Sequence, residues 1–210
     1  MCKTLGASVV QLSIVLIYLA YKSDIVAKQS NFLGEFIKGR KTVGAVAPSS
    51  KFLTKKMIAP IDFQKADVIL ELGPGNGVFT KAILERMKQT SKIFSFELNT
   101  AFYQHIFNNG DDKRLTLIND SAEKIDEYLE KHGIGKVDYI VSSLPFTVIP
   151  KEIKLTIIDK CVNQLKDDGM FIQFQYSLNA KKLLSLKFSQ VKIDFSALNF
   201  PPAFVYKCKL

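Results

Sequence analysis

The segment VILELGPGNGVFT, from Val68 to Thr80, constrains the fold of this chain more than any other stretch. It opens with an apolar run whose first polar residue is Glu71, which is typical of a parallel strand covered on both faces. Three glycines follow, and then residues that suit a helix. Glycine lets the backbone approach a ligand closely, and a helix opening presents free N–H groups. The segment therefore predicts a strand, a ligand-binding turn and a helix.

The spacing of the three glycines distinguishes between two kinds of nucleotide-binding motif. A dinucleotide fingerprint, G-x-G-x-x-G, needs its third glycine at position 78, where this chain has Val78. The spacing here is G-x-G-x-G, and Pro74 fixes one φ angle in the loop. Carboxylates end the first strand and the next apolar run, at Glu71 and Glu97. This combination resembles the S-adenosylmethionine (SAM) site of Rossmann-like methyltransferases.

The resemblance implies a role for each polar group. Glu71 is expected near the amino-acid end of SAM, and Glu97 on both ribose hydroxyls. In the later segment LTLINDS, Asp120 is expected to accept from the adenine amino group, and it is also placed to cap the next helix. The cofactor-binding residues predicted in this way are Glu71, Gly73, Pro74, Gly75, Gly77, Glu97, Leu98, Asp120, Ser121 and Ser143.

Regular alternation of apolar runs and helical patterns follows residue 68. It predicts strands near 68–72, 92–97, 115–119, 137–142, 169–176, 189–196 and 203–209, and helices near 77–88, 99–109, 121–131, 151–166 and 178–187. Strands alternating with helices indicate a doubly wound α/β fold. The last two strands have no helix between them, which indicates an antiparallel hairpin. We expect a Rossmann-like class I methyltransferase with a seven-stranded sheet and a final antiparallel strand.

The predicted fourth strand ends in the sequence Ser143-Leu-Pro-Phe146, where an open sheet holds its substrate. Ribosomal RNA adenine dimethyltransferases carry Asn-Leu/Ile-Pro-Tyr/Phe at this point. The serine in this chain is instead similar to the bacterial phospholipid N-methyltransferases, which methylate phosphatidylethanolamine. Pro145 stiffens the loop and removes a donor, so that carbonyls are free to face an amine. An ordinary strand-to-helix turn remains the alternative.

Methyl transfer from a sulfonium needs a neutral amine in line with the methyl group, so the protein mainly contributes positioning. The catalytic residues predicted here are Ser143, Pro145, Phe146 and Tyr176. The carbonyl and hydroxyl of Ser143 and the hydroxyl of Tyr176 are candidate acceptors for the amine. Phe146, and with it Phe204, is expected to contact the growing methylammonium. No general base is assigned, and His105 and His132 are expected on helix surfaces or ends.

Other segments resemble the phospholipid enzymes as well. They are VGAVAPSSKFL from Val43 to Leu53, which in that family covers the SAM pocket, FIQFQY from Phe171, and NFPPAFVYKC from Asn199. The sequence ends at Leu210, so no helical RNA-binding domain is expected after the sheet. The resemblance implies methylation of a phospholipid amine. An adenine N6-methyltransferase and a non-catalytic SAM-binding protein remain alternatives.

The N-terminal part of the chain is divided into two segments ahead of a methyltransferase domain at residues 61–210. Residues 4–21 carry no charge, and 18 helical residues rise only about 27 Å, a marginal span. A signal-anchor, an interfacial helix, a cleaved signal peptide or a later translation start would each account for residues 1–22. Residues 23–60 predict a basic amphipathic helix followed by a loop and a helix capped at Ser49 or Ser50.

Charge and composition indicate the partners. Eight basic and two acidic residues between Lys22 and Lys56 give that region a net charge of +6 out of +9 for the whole chain. Such a block attracts an anionic membrane surface or nucleic acid. We expect a phospholipid substrate, no nucleic acid and no metal, on the cytoplasmic side of the membrane. Cys161 and Cys208 are expected in the core, and the oligomeric state stays open.

Overall fold

A computed structural model describes residues 51–210 of the chain. The predicted segment 1–22, the amphipathic helix at 23–39 and the loop at 42–50 lie outside the described residues. None of the helices within residues 51–210 combines the length and the apolar character that crossing a bilayer requires.

Six helices and seven strands make up this region. The helices are α1 Lys51–Ile58, α2 Val78–Leu84, α3 Thr100–Asn109, α4 Ile125–Lys131, α5 Lys151–Gln164 and α6 Lys181–Lys187. The strands are β1 Val68–Leu72, β2 Lys92–Phe96, β3 Leu115–Ile118, β4 Val137–Ser142, β5 Leu165–Gln175, β6 Gln190–Ser196 and β7 Ala203–Lys209. Short 3₁₀ turns at Ala122–Lys124 and Leu178–Ala180 lead into α4 and α6.

The strands form one sheet in the order β3-β2-β1-β4-β5-β7-β6. Only β7 runs antiparallel to its neighbours, which are β5 and β6. The predicted α/β fold with a final antiparallel strand is therefore confirmed. The strand order reverses between β1 and β4, whose ends lie level because Leu72 pairs with Ser142. A ligand site is expected at such a reversal, beyond the carboxyl ends of the strands.

Helices cover both faces of the sheet, and each face has its own apolar cluster. Helices α1 and α2 pack on one face through Leu53, Met57 and Phe79, together with strand residues such as Ile69. Helices α4, α5 and α6 pack on the other face. Because side chains alternate along a strand, Glu71, Glu97 and Ser143 all lie on the α1–α2 face.

The boundary between α5 and β5 differs from the prediction. Helix α5 ends at Gln164 and β5 begins at Leu165, whereas the pattern predicted a helix to 166 and a strand from 169. Lys166-Asp-Asp-Gly169 has the composition of a turn. In the fold this segment forms an irregularity in the β4–β5 pairing, and the Lys166 ammonium contacts the Asp138 carboxylate at 2.5 Å. A long-range ion pair thus accompanies the earlier start of the strand.

Gly169 is required by this irregular pairing. A Cβ atom there would lie 2.8 Å from the Asp138 carbonyl oxygen and 2.8 Å from Leu165 Cδ1. We expect Gly169→Ala to lower the free energy of unfolding by about 1–3 kcal/mol, since the surrounding backbone has to shift. Urea denaturation would measure the loss. Gly135→Ala is the matched control, because a Cβ there meets nothing within 4 Å. Equal losses in both variants would refute this explanation.

Candidate active site

The glycine loop follows β1 and lies at the strand reversal. Gly73, Gly75 and Gly77 all have positive φ angles, of 72°, 58° and 78°. A Cβ at Gly73 would come within 3.2 Å of Leu144 Cδ2, and one at Gly77 within 3.3 Å of Ile106 Cγ1. Nothing lies within 4 Å of the same position at Gly75. The outer glycines therefore allow close packing, while the space beside the middle one is open to a ligand.

Glu97 links the end of β2 to this loop. Its side chain is buried, and its Oε2 accepts from the Gly75 N–H at 3.0 Å while Oε1 accepts from the Asn99 N–H at 2.7 Å. Burial raises the pKa of the Glu97 carboxyl above its ordinary value. Each carboxylate oxygen has a further lone pair for a hydroxyl donor. Glu97 is thus held in a fixed orientation beside the open part of the loop.

Glu71 lies on the same face and is fully buried. Its Oε2 accepts from the hydroxyls of Thr80 at 2.7 Å and Ser95 at 2.8 Å. Its Oε1 is buried and has no hydrogen-bond partner among residues 51–210. Burial raises the pKa of Glu71 to about 7. A buried acceptor without a partner is rare, and a donor or cation on a bound ligand would satisfy it.

The raised pKa of Glu71 predicts an unusual pH dependence of stability. Between pH 4.5 and about 7 the unfolded chain loses the Glu71 proton while the folded chain keeps it, so the free energy of unfolding falls as the pH rises. The total fall from this group is about 3 kcal/mol. Urea denaturation without cofactor would show it, and Glu71→Gln should flatten the curve in this window. An unchanged slope in the variant would argue against the raised pKa.

Asp120 follows β3 and is enclosed in a local network. Its Oδ2 accepts from Lys124 Nζ at 2.8 Å and from the Tyr128 hydroxyl at 3.1 Å, and its Oδ1 accepts from the Ser121 N–H at 2.7 Å. Partial burial acts to raise the pKa of Asp120, but these hydrogen bonds hold it below its ordinary value. The helix cap is provided by Ser121, whose hydroxyl accepts from the Glu123 N–H. Contact of Asp120 with adenine stays a prediction.

Leu98 lies between this network and Glu97. Its carbonyl oxygen accepts from Asn119 Nδ2 at 3.4 Å, and the Glu97 carbonyl accepts from the same amide at 2.7 Å. Asn119 therefore joins the end of β3 to the end of β2. Sequence analysis did not single out this residue, although its place at the end of a strand was a usable signal.

The turn after β4 faces the glycine loop across the strand reversal. The Ser143 N–H donates to the Leu72 carbonyl at 2.8 Å, and its buried hydroxyl has no partner among the described residues. The next carbonyl, of Leu144, accepts from Gln173 Nε2 at 2.9 Å and from Gln175 Nε2 at 2.8 Å. These two buried glutamines of β5 fix the turn. Sequence analysis missed them, although two amides at alternate positions of an apolar strand were a detectable signal.

The aromatic residues predicted around the substrate divide between the two faces. Tyr176 is 37% exposed and its ring packs edge-on against Phe174, on the α1–α2 face with Ser143. Phe146 is only 3% exposed and belongs to the cluster on the opposite face, where Phe204 also packs. Pro145 lies between the faces, in the turn itself. The structure therefore brings Ser143 and Tyr176 to one side, and contact of the substrate with Phe146 stays a prediction.

The histidines and cysteines within residues 51–210 lie outside the candidate site. His105 is exposed on α3, and His132 ends α4 with its ring 5.2 Å from that of Phe94. Cys161 and Cys208 are buried and unbridged, as predicted. Within residues 51–210 there is no group of three or more His, Cys, Asp or Glu side chains that would hold a metal ion.

The sequence profile of the family described as ribosomal RNA adenine dimethylase matches residues 38–190, well over half of the chain. The chain belongs to this family. It is a SAM-dependent methyltransferase, as predicted from the glycine loop and the two strand-end carboxylates.

The names of individual relatives of this chain give different substrates. An ornithine lipid N-methyltransferase of Singulisphaera acidiphila is 27% identical over 180 residues, covering 85% of this chain and 94% of that protein. Ribosomal RNA small subunit methyltransferase A of Clostridium botulinum is 30% identical over 132 residues, covering 59% of this chain and 44% of that protein. The Borreliella burgdorferi protein of the same name is 28% identical over 207 residues, covering 91% of this chain and 69% of that protein. The chain thus spans less than half of the Clostridium enzyme.

Solved structures confirm the fold. A precorrin-6y C5,15-methyltransferase from Geobacter metallireducens superposes with a TM-score of 0.61 at 15% identity, over 80% of this chain and 95% of that one. A SAM-dependent O-methyltransferase from Thermotoga maritima superposes with a TM-score of 0.57, also at 15% identity, over 81% and 70%. At such identities the similarity establishes the architecture alone.

The side chains at the strand reversal fit SAM as the cofactor. The space beside Gly75 admits a ligand, and one buried acceptor, Glu71 Oε1, has no partner among the described residues. Glu97 is oriented by two backbone N–H groups beside them. A ligand with a cationic amino-acid end and a ribose supplies the complementary donors. When bound, SAM supplies an electrophilic methyl group on a sulfonium.

Proposed function

We propose that this chain is a lipid N-methyltransferase, which transfers methyl groups from SAM to the amine of a membrane-lipid headgroup. The observation that carries the proposal is the match to an ornithine lipid N-methyltransferase over 94% of that protein. Matches to ribosomal RNA methyltransferases such as the Clostridium protein cover much less of the relative.

The chemistry of the turn after β4 supports an alkylamine as the acceptor. Ser143 has a single rotatable hydroxyl, whereas an Asn at this place would offer a paired donor and acceptor. Such a pair suits the edge of an adenine ring, which carries an amino group beside a ring nitrogen. A neutral lipid amine presents N–H donors and one lone pair, which attacks the methyl group, so the unpartnered Ser143 Oγ is a matching acceptor for an N–H.

The described residues would act by holding the amine in place. An alkylammonium loses its proton near pH 10.4, and a nearby sulfonium in a partly dry site lowers that pKa. Ser143 Oγ would then accept from the neutral amine and orient its lone pair. Gln173 and Gln175 would fix the turn by binding the Leu144 carbonyl. Water exclusion and alignment, without a dedicated base, would account for the rate.

Phosphatidylethanolamine is the lipid expected from the sequence resemblance, and ornithine lipid is the one named for the relative. Both carry a primary alkylamine a few bonds from an anionic or polar group. We further propose that the enzyme works at the cytoplasmic face of the membrane, where SAM is made. The basic block between Lys22 and Lys56 supports attraction to anionic lipid there.

The test uses the purified full chain with methyl-labelled SAM and three kinds of vesicle. One contains phosphatidylethanolamine and phosphatidylglycerol, one contains ornithine lipid and phosphatidylglycerol, and one contains phosphatidylglycerol alone. We expect label in the amine headgroup of the first or second kind and none in the third. Ribosomal RNA is offered in a parallel reaction. Label in adenine with all lipids unlabelled would replace the proposal with RNA methylation, which the family match favours as the second candidate.

A further inference from the structure

A cleft of about 530 Å³ lies on the α4–α6 side of the sheet, beside the Ser143–Phe146 turn. It is bounded by the start of α5 and by α6 with its preceding 3₁₀ turn. Phe146 and Gln175 line it, and Gln175 also donates to the Leu144 carbonyl in the turn. The cleft thus shares a wall with the turn that faces the glycine loop. Its volume is typical of a small-ligand site.

The floor of the cleft is apolar. It is lined by Phe146, Leu155, Leu183 and Leu186. Leu186 is 73% exposed, although it belongs to a helix whose buried residue, Leu184, packs in the core. Leu186 thus continues the apolar lining to the open margin of the cleft. These side chains match the methylene groups of an acyl chain.

The rim of the cleft is basic. Lys151, Lys154 and Lys182 line it, and no acidic residue does. Lys154 donates to the Phe146 carbonyl at 2.7 Å, which fixes it against the turn. Lys151 and Lys182 are exposed and take part in none of the ion pairs found among residues 51–210. By contrast Lys187, on the same helix as Lys182, pairs with Asp159. Two uncompensated cations therefore flank an apolar floor.

We propose that this cleft binds an anionic amphiphile, with an acyl chain along the floor and a phosphate or carboxylate at Lys151 and Lys182. The inference rests on the proposed lipid methylation. Because the cleft and Ser143 lie on opposite faces of the sheet, the same lipid would pass over the edge of the turn to bring its amine to Ser143. The absence of acidic residues from the lining argues for a negatively charged partner, and the apolar floor argues against a free inorganic anion. A lipid phosphate and a lipid carboxylate share this chemistry.

The experiment uses the absence of tryptophan from the chain. Leu186→Trp places a single indole at the cleft margin of the full chain, without SAM. Titration with dodecyl phosphate or N-dodecanoylglycine, each below its micelle concentration, is expected to give a saturable emission shift. Dodecyl maltoside carries the alkyl chain without the anion, and inorganic phosphate is the anion without the alkyl chain. Both are expected to bind at least about tenfold more weakly than the anionic amphiphiles. The tighter of the two anionic probes identifies the preferred headgroup.

Variants that remove lysine charges test whether the cleft lysines bind the anionic group of the probes. Lys151→Ala with Lys182→Ala should weaken binding of the anionic probes about threefold to tenfold, as expected for exposed charges. Lys92→Ala with Lys131→Ala removes the same charge from exposed sites elsewhere and should change binding less than about twofold. Equal weakening in both pairs, equal binding of dodecyl maltoside, or no saturable shift would overturn the proposal. Calorimetry on the tryptophan-free chain repeats each comparison.

The binding measurement is independent of methylation. A chain that binds dodecyl phosphate through Lys151 and Lys182 but methylates no lipid would refute the proposed function alone. A chain that methylates lipid while both charge pairs behave alike would refute the cleft alone. The two failures are therefore distinguishable.

Discussion

Glu97→Ala is expected to weaken SAM binding at least about 100-fold, measured by calorimetric titration. We expect the carboxylate to accept from two ribose hydroxyls, and hydrogen bonds to a charged acceptor contribute about 1.5–3 kcal/mol each. Its removal also frees the Gly75 and Asn99 N–H groups that it now binds at 3.0 and 2.7 Å. The glycine loop would keep the hydrogen bond from the Gly73 N–H to the Phe96 carbonyl but lose its second link to the end of β2, which adds to the loss of affinity.

Two further variants separate binding from folding. Glu97→Gln keeps the size and one acceptor oxygen, and we expect an intermediate loss of about tenfold. Glu85→Ala removes an exposed carboxylate at the far end of α2 and should leave affinity unchanged. Thermal unfolding of each variant shows whether the domain is intact. Full affinity in a folded Glu97→Ala protein would show that the cofactor site has been assigned to the wrong residues.

The sheet could be predicted because its strands are local patterns. Short apolar runs such as the one that begins at Val68 are typical of parallel strands when a glycine turn bounds them. The start of β5 could not be predicted, since Lys166 and its neighbours are polar and join the sheet by pairing with β4, where Lys166 contacts Asp138. That contact joins residues distant in sequence. Local propensity carries no information about it.

The candidate site shows the same division. Glu71 and Glu97 could be predicted because each ends a strand at the edge where parallel strands place their ligands. The hydroxyl partners of Glu71, Thr80 and Ser95, depend on the β1–β2 register and on the packing of α2, which the sequence does not display. The face on which Phe146 lies could not be predicted for a related reason. The turn directs its ring to the face opposite Ser143, and the sequence does not display that direction.

Ser143→Ala is expected to lower kcat for lipid methylation about 10–100-fold while SAM affinity changes less than about threefold. The hydroxyl is buried without a partner among residues 51–210, so its proposed role is to accept from the substrate amine. The amine gains positive charge as it takes the methyl group, and a hydrogen bond to a charged group accounts for about 1.5–3 kcal/mol. Removing an unsatisfied buried hydroxyl should also raise the free energy of unfolding by up to about 1 kcal/mol. Activity and stability would therefore change in opposite directions.

Ser196→Ala is the matched control for this prediction. The Ser196 hydroxyl is likewise buried and without a partner among the described residues, but it ends the edge strand β6. The same small gain in stability is expected there, with kcat unchanged. A loss of activity in both variants would point to a general effect of removing buried hydroxyls at this edge of the sheet. A loss confined to Ser143→Ala, with SAM affinity kept, places the hydroxyl on the acceptor side of the methyl group, since a cofactor ligand would lower affinity as well.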